Sequence, residues 1–163
     1  MISIKNNSVN GRRLDQLVQE ISSLDQSYDI VLLQIGANDI LGKRPVADAL
    51  ADLERLYKAI LPQSGHIILM PSGNIGGALA YKGNPEASTY EQLCRDYYAA
   101  FTTFATSYPQ FTFVNLFEEP ADDLFVQDLA TYFALDGLHP SDAGYDIWYK
   151  TLKLQLEHFL SLE

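Results

Sequence analysis

The spacing of apolar residues changes repeatedly along this chain. From Tyr28 to Ile35 it reads Tyr-Asp-Ile-Val-Leu-Leu-Gln-Ile, nearly continuous in apolar side chains, as expected of a strand buried on both faces. Similar short runs predict strands at His66 to Met70 and Phe111 to Leu116, and Ile2 to Lys5 reads as a short first strand. Between them the spacing becomes helical, in the sets Leu14, Leu17, Val18 and Ile21, then Val46, Leu50, Leu53, Leu56 and Ile60. It returns in Tyr90, Leu93, Tyr97, Phe101 and Phe104, and again in Ile147, Leu152, Leu156 and Phe159. Strands that alternate with amphipathic helices predict an α/β fold, a parallel sheet with helices on both faces. No internal repeat or low-complexity tract interrupts the pattern.

Two segments do not follow it. Pro71-Ser72-Gly73-Asn74-Ile75-Gly76-Gly77 directly follows a predicted strand, and Tyr81-Lys82-Gly83-Asn84-Pro85 continues the excursion. Loops at the carboxyl ends of parallel strands form the ligand crevice of open α/β sheets, so this segment reads either as a pocket wall or as an ordinary surface loop. The aromatic set Tyr90, Tyr97, Tyr98, Phe101, Phe104 and Tyr108 has helical spacing and reads as core, not as a platform for stacking bases. Trp148 and Tyr149 are expected to anchor the last helix.

Composition narrows the classes. With 163 residues, 47% of them hydrophobic, the chain can bury one core, so residues 1–163 read as a single domain. A formal net charge of -10 argues against a nucleic-acid partner, which would need Lys and Arg to neutralise phosphates, and against anionic membrane surfaces. The lone Cys94 rules out an internal disulfide and falls in a predicted helix, where a buried thiol is inert. No run is long and apolar enough to span a bilayer, and no basic stretch followed by an apolar run marks the N-terminus. Location is therefore undetermined. Cytoplasmic is the default, and a leader or anchor ahead of Met1 would change it.

Candidate chemistry concentrates in two places. In Asp136-Gly137-Leu138-His139-Pro140 an acid precedes a histidine by three positions, close enough in a turn to accept from one ring nitrogen and leave the other as a general base. Pro140 suits the first turn of a following helix and biases His139 toward an extended backbone. In Gly36-Ala37-Asn38-Asp39, just past the strong strand, the Asn38 amide can donate to a developing oxyanion and Asp39 can tether the loop. The plainer reading is that Asn38 and Asp39 turn the chain and cap a helix. Ser8, Ser72 and Ser141 lack the context of a nucleophile, the last two reading as loop or cap serines. His66 reads as the start of a strand and His158 as the end of the last helix; neither has metal-ligand spacing, and no metal or organic cofactor is implied.

Together these segments resemble the SGNH, or GDSL, family of esterases and lipases, whose blocks supply Ser, Gly, Asn and His in that order. Gly36 to Asp39 matches the third block, Asp136 to Pro140 running on into Ser141-Asp142-Ala143-Gly144-Tyr145 the fifth, and Asn6-Asn7-Ser8-Val9-Asn10-Gly11 more weakly the second. The resemblance implies a three-layer α/β/α, flavodoxin-like fold and hydrolysis of small acyl esters. His139 would be the base, Asp136 its partner, and Asn38 with the Gly11 N–H the oxyanion donors, although Gly11 also reads as a simple turn glycine. The family's first block, a strand ending in Gly-Asp-Ser, has no counterpart in this sequence. That implies an enzyme core without its serine, weakly active or inactive, or a binding or scaffold protein that kept the pocket.

In the family the absent strand is central, between those matching Ile2 to Lys5 and Tyr28 to Ile35. Its loss leaves exposed backbone donors and acceptors. The flanking strands would close up, another chain would fill the gap as a homo-oligomer, or the first segment would rearrange.

Overall fold

A computed structural model describes residues 3–21 and 26–160, with the side chains of residues 158–160 outside that description. Its strands β1 (Tyr28–Leu33), β2 (Ser64–Leu69) and β3 (Phe111–Phe113) form a three-stranded parallel sheet in the order β1-β2-β3. Ile30 stands opposite His66 and Leu32 opposite Ile68, while Ile67 stands opposite Phe111. The third strand stops short of the expected Leu116, yet Val114 N–H still donates to Leu69 O at 2.8 Å. The chain thus leaves the sheet gradually rather than at a sharp turn.

Helices α1 (Leu14–Glu20), α3 (Val46–Ile60) and α4 (Ala87–Thr106) contribute to one core with Leu33, Ile67, Leu69 and Phe111. A second, smaller core joins Ile68, Met70, Val114 and Leu116 to Ile147, Trp148, Leu152 and Leu156 of α7 (Asp142–Leu160). Alternate strand residues feed different cores because successive side chains point to opposite faces of a sheet. The result is the expected three layers. Most of the aromatic set is core, with Tyr97 and Phe101 fully buried. Trp148 is buried as expected, but Tyr149 is 60% exposed because the next position along a helix rotates away from the face that packs. Phe159 and His158 have side chains outside the described residues.

Among the described residues the first predicted strand does not form. Ile2 lies outside the described residues, and Ser3 to Val9 run without strand pairing, with Ile4 87% exposed. The flanking strands have therefore not closed up over the described residues. Among the described residues β1 pairs with β2 alone, leaving its other edge without a strand partner. Ile30 and Leu32 on β1 are correspondingly exposed. No helix among the described residues is long and apolar enough to cross a membrane.

Candidate active site

The Asn38 loop follows from β1 and a single glycine. Gly36 has φ +114, a left-handed conformation that an L side chain rarely adopts, and it turns the chain from the strand into α2 (Ala37–Leu41). Asn38 therefore stands at the carboxyl end of the sheet, where open α/β folds bind ligands. Its Nδ2 donates to Arg12 O at 3.2 Å, so the Gly11 turn and the Asn38 turn lie side by side. Gly11 has φ +76, and no atom lies within 4 Å of where its Cβ would stand, so its backbone is open to approach.

Asp39 does more than tether a loop. It is fully buried; one carboxylate oxygen accepts Leu14 N–H at 3.1 Å and the other accepts Arg44 Nη1. Burial pushes its carboxyl above the ordinary range, with Arg44 and the Leu14 N–H opposing that rise. Arg44 Nη2 reaches Asp52 of α3 at 2.8 Å, and Tyr97 of α4 donates its hydroxyl to Arg44 O at 2.9 Å. Neither Arg44 nor Asp52 stood out in the sequence. A buried Asp at a helical position otherwise lined by Ala49, Leu53 and Leu56 is the signal that would have found them.

The Asp136 loop is a closed turn. Asp136 Oδ1 accepts the backbone N–H groups of Leu138 and His139, each at 2.9 Å, and Oδ2 meets His139 Nδ1 at 2.7 Å. These bonds, the backbone ones first, draw the Asp136 carboxyl down to about 2. An ionised acceptor holds the ring proton on Nδ1, leaving the Nε2 lone pair to take a proton. The loop itself is fixed by Ala134 N–H to His139 O and by Ala80 N–H to Gly137 O, each at 2.8 Å. Pro140 is not in the first turn of α7 as expected. It pairs with Phe133 in an isolated bridge, and Ser141 starts the helix, its Oγ accepting from Gly144 N–H at 3.2 Å and donating to Thr131 O at 2.6 Å.

Because its folded pKa is depressed, the Asp136 turn contributes stability that is fully present above the ordinary carboxylate value of 3.8 and lost as pH falls through about 2. We expect a carbon-13 NMR titration of the Asp136 carboxyl to give a midpoint near 2. A midpoint at 3.8 would mean that the turn does not hold in solution.

The structure thus joins Asp136 to His139, and Gly11 to Asn38 through Arg12. No hydrogen bond joins the two pairs. Among the described residues no serine hydroxyl bonds to His139. Ser72 is turned inward, where it lines a cavity of about 40 Å³ with Asn74, Asp123, Leu138 and Trp148. The Pro71 loop thus lines a small cavity beside Leu138 and Pro140, the two neighbours of His139. A larger groove of about 520 Å³ runs between α3 and α4 and contains none of these residues. Cys94 is fully buried, which pushes its thiol up to about 11, and His66 bonds Thr112 Oγ1 at 2.8 Å within the sheet. No group of three metal-ligating side chains occurs among the described residues.

Comparison with known proteins decides the family. The sequence model of the GDSL-like lipase/acylhydrolase family matches residues 2–147. The chain belongs to that family. Its fold is similar to that of a Streptococcus pneumoniae protein provisionally described as a platelet activating factor, at 27% identity and a TM-score of 0.73, covering 94% of this chain and 72% of that one. An acetylxylan esterase from Geobacillus stearothermophilus matches at 23% identity and a TM-score of 0.56, covering 87% of this chain and 66% of its own. A carbohydrate esterase of family 3 from Talaromyces cellulolyticus shares the fold at 14% identity and a TM-score of 0.63, over 94% of this chain and 70% of that one. Among curated proteins nothing matches. The family and the layered fold agree with the resemblance carried by the Asn38 and His139 motifs.

Proposed function

We propose that this GDSL-family hydrolase chain supplies the base and the oxyanion donors for hydrolysis of a small acyl ester, and that the attacking serine is missing from it. The observation that carries the reading is the Asp136–His139 pair, a carboxylate kept ionised and bonded to Nδ1 at 2.7 Å. In a complete site a serine Oγ would attack the ester carbonyl while His139 Nε2 takes its proton, with Asp136 stabilising the imidazolium. The carbonyl oxygen, now negative, would be held by Asn38 Nδ2 and the Gly11 N–H. The tetrahedral species collapses as His139 returns the proton to the leaving alcohol, and water, activated by the same nitrogen, then releases the acid. The named activities of two compared structures, both esterases, support ester chemistry without singling out an acyl group or alcohol.

The absence of any serine hydroxyl bonded to His139 among the described residues also favours a second reading, an inactive binding or scaffold protein. Turnover of p-nitrophenyl acetate by the 163-residue chain should be very weak or undetectable. Robust turnover that a serine-directed phosphonate abolishes would defeat the missing-nucleophile part of the proposal. Mass measurement of the natural protein separates the two readings: an additional segment containing Gly-Asp-Ser supports the hydrolase, a start at Met1 the binding protein.

A further inference from the structure

Gly11 and Asn38 belong to segments far apart in sequence, and an oxyanion site requires their donors to keep a fixed separation. Packing alone does not hold Gly11, since its surroundings are open. Two hydrogen bonds link the segments, Asn38 Nδ2 to Arg12 O at 3.2 Å and Leu14 N–H to Asp39 Oδ2 at 3.1 Å. The second depends on where the Asp39 carboxylate sits, and that is governed by Arg44. Its guanidinium spans Asp39 and Asp52 with separate nitrogens, lies 3.7 Å from Asp15 of α1, and is fixed at its own backbone by Arg44 N–H to Asp39 O and by Tyr97. A planar fork can hold two carboxylates at once in a set geometry, which a lysine ammonium cannot.

We propose that Asp39 and Arg44 form a clamp that sets the separation of the two oxyanion donors, making Arg44 a positioning residue that touches neither. The proposal rests on the oxyanion reading of Gly11 and Asn38. A buried ion pair is a poor source of net stability, because desolvation consumes much of the attraction. What it does supply is register. Here the register in question is that of α1 and the Gly11 turn against α2, with α3 and α4 as the fixed base.

The test is NMR on the whole chain carrying Arg44→Met, which keeps the apolar stem, and Arg44→Lys, which keeps the charge but not the fork. Hydrogen exchange of the Leu14 amide should rise about tenfold in Arg44→Met, the factor expected for loosening a hydrogen bond to a charged group, while the Ile68 amide in β2 stays unchanged. Arg44→Lys should restore only part of the protection. Acetate serves as the carboxylate probe: in the unaltered chain it should shift the Gly11 backbone and Asn38 side-chain amides with one common dissociation constant, and in Arg44→Met the two should separate. A folded Arg44→Met chain with unchanged Leu14 exchange and a common constant would overturn the clamp. If Arg44→Met does not fold, full Leu14 protection in Arg44→Lys overturns it instead. Acetate that shifts neither amide in the unaltered chain would refute the oxyanion reading, whereas the exchange data still decide whether Arg44 holds the two turns together.

Discussion

Replacing Phe101 by alanine should lower the stability of the chain by about 3–5 kcal/mol, the cost of truncating a buried aromatic when its surroundings relax only in part. Phe101 is fully buried, edge-on to Tyr97 with ring centroids 5.7 Å apart and to Phe113 at 5.9 Å. Its Cε2 also lies 3.7 Å from where a Cβ on Gly36 would stand. The ring is thus part of the floor under the Asn38 turn as well as the packing between α4 and the sheet. A domain of this kind has about 5–15 kcal/mol in total, so the variant should be near the edge of folding. Urea unfolding followed by Trp148 fluorescence measures the change. A loss below about 1 kcal/mol would show that neighbouring side chains collapse into the space and that the turn does not depend on this ring.

The second large effect is expected at Gly144, in the first turn of α7. A Cβ there would stand 2.4 Å from Tyr132 O, 2.8 Å from Phe125 Cε1 and 2.9 Å from Pro140 Cβ, so backbone and ring atoms would have to move. Overpacking of this sort costs about 1–3 kcal/mol. The direction of the movement matters more than its cost. Pro140 adjoins His139, and Tyr132 O also accepts Ser141 N–H at 2.9 Å, so Gly144→Ala pushes on the segment that leads out of the His139 loop. The Asp136 titration should then rise from about 2 toward 3.8 as the bonds to Leu138 and His139 loosen. A folded Gly144→Ala chain whose Asp136 midpoint stays near 2 would show that the turn is held by its own bonds alone.

The two site motifs were legible because each is local. Asp136 and His139 are three apart in one tight turn, and the bonds between them close within it. Asn38 follows directly from a strong strand and a glycine with positive φ. The helices were legible from period as well, since each buries one face. Other features were not. The Arg44 clamp unites Asp39, Asp52 and Tyr97, whose proximity depends on how three helices meet. The inward placement of Ser72 and the outward one of Tyr149 depend on what covers each face. The short run from Ile2 to Lys5 has strand-like character, but its described residues do not pair, and a lone extended segment cannot satisfy its backbone by itself.

The Asp136-Gly137-Leu138-His139-Pro140 segment, with Gly36-Ala37-Asn38-Asp39, was sufficient to indicate the family, and the alternation of apolar runs the layered α/β frame. Those follow from chemistry written at short range: side-chain type, spacing and turn conformation. Only the tertiary structure decided that among the described residues β1 pairs with β2 alone, that Asp39 is buried against Arg44, and that the Gly11 turn is tied to Asn38. Each of these depends on segments distant in sequence competing for the same space and the same hydrogen-bond partners, which no local pattern records.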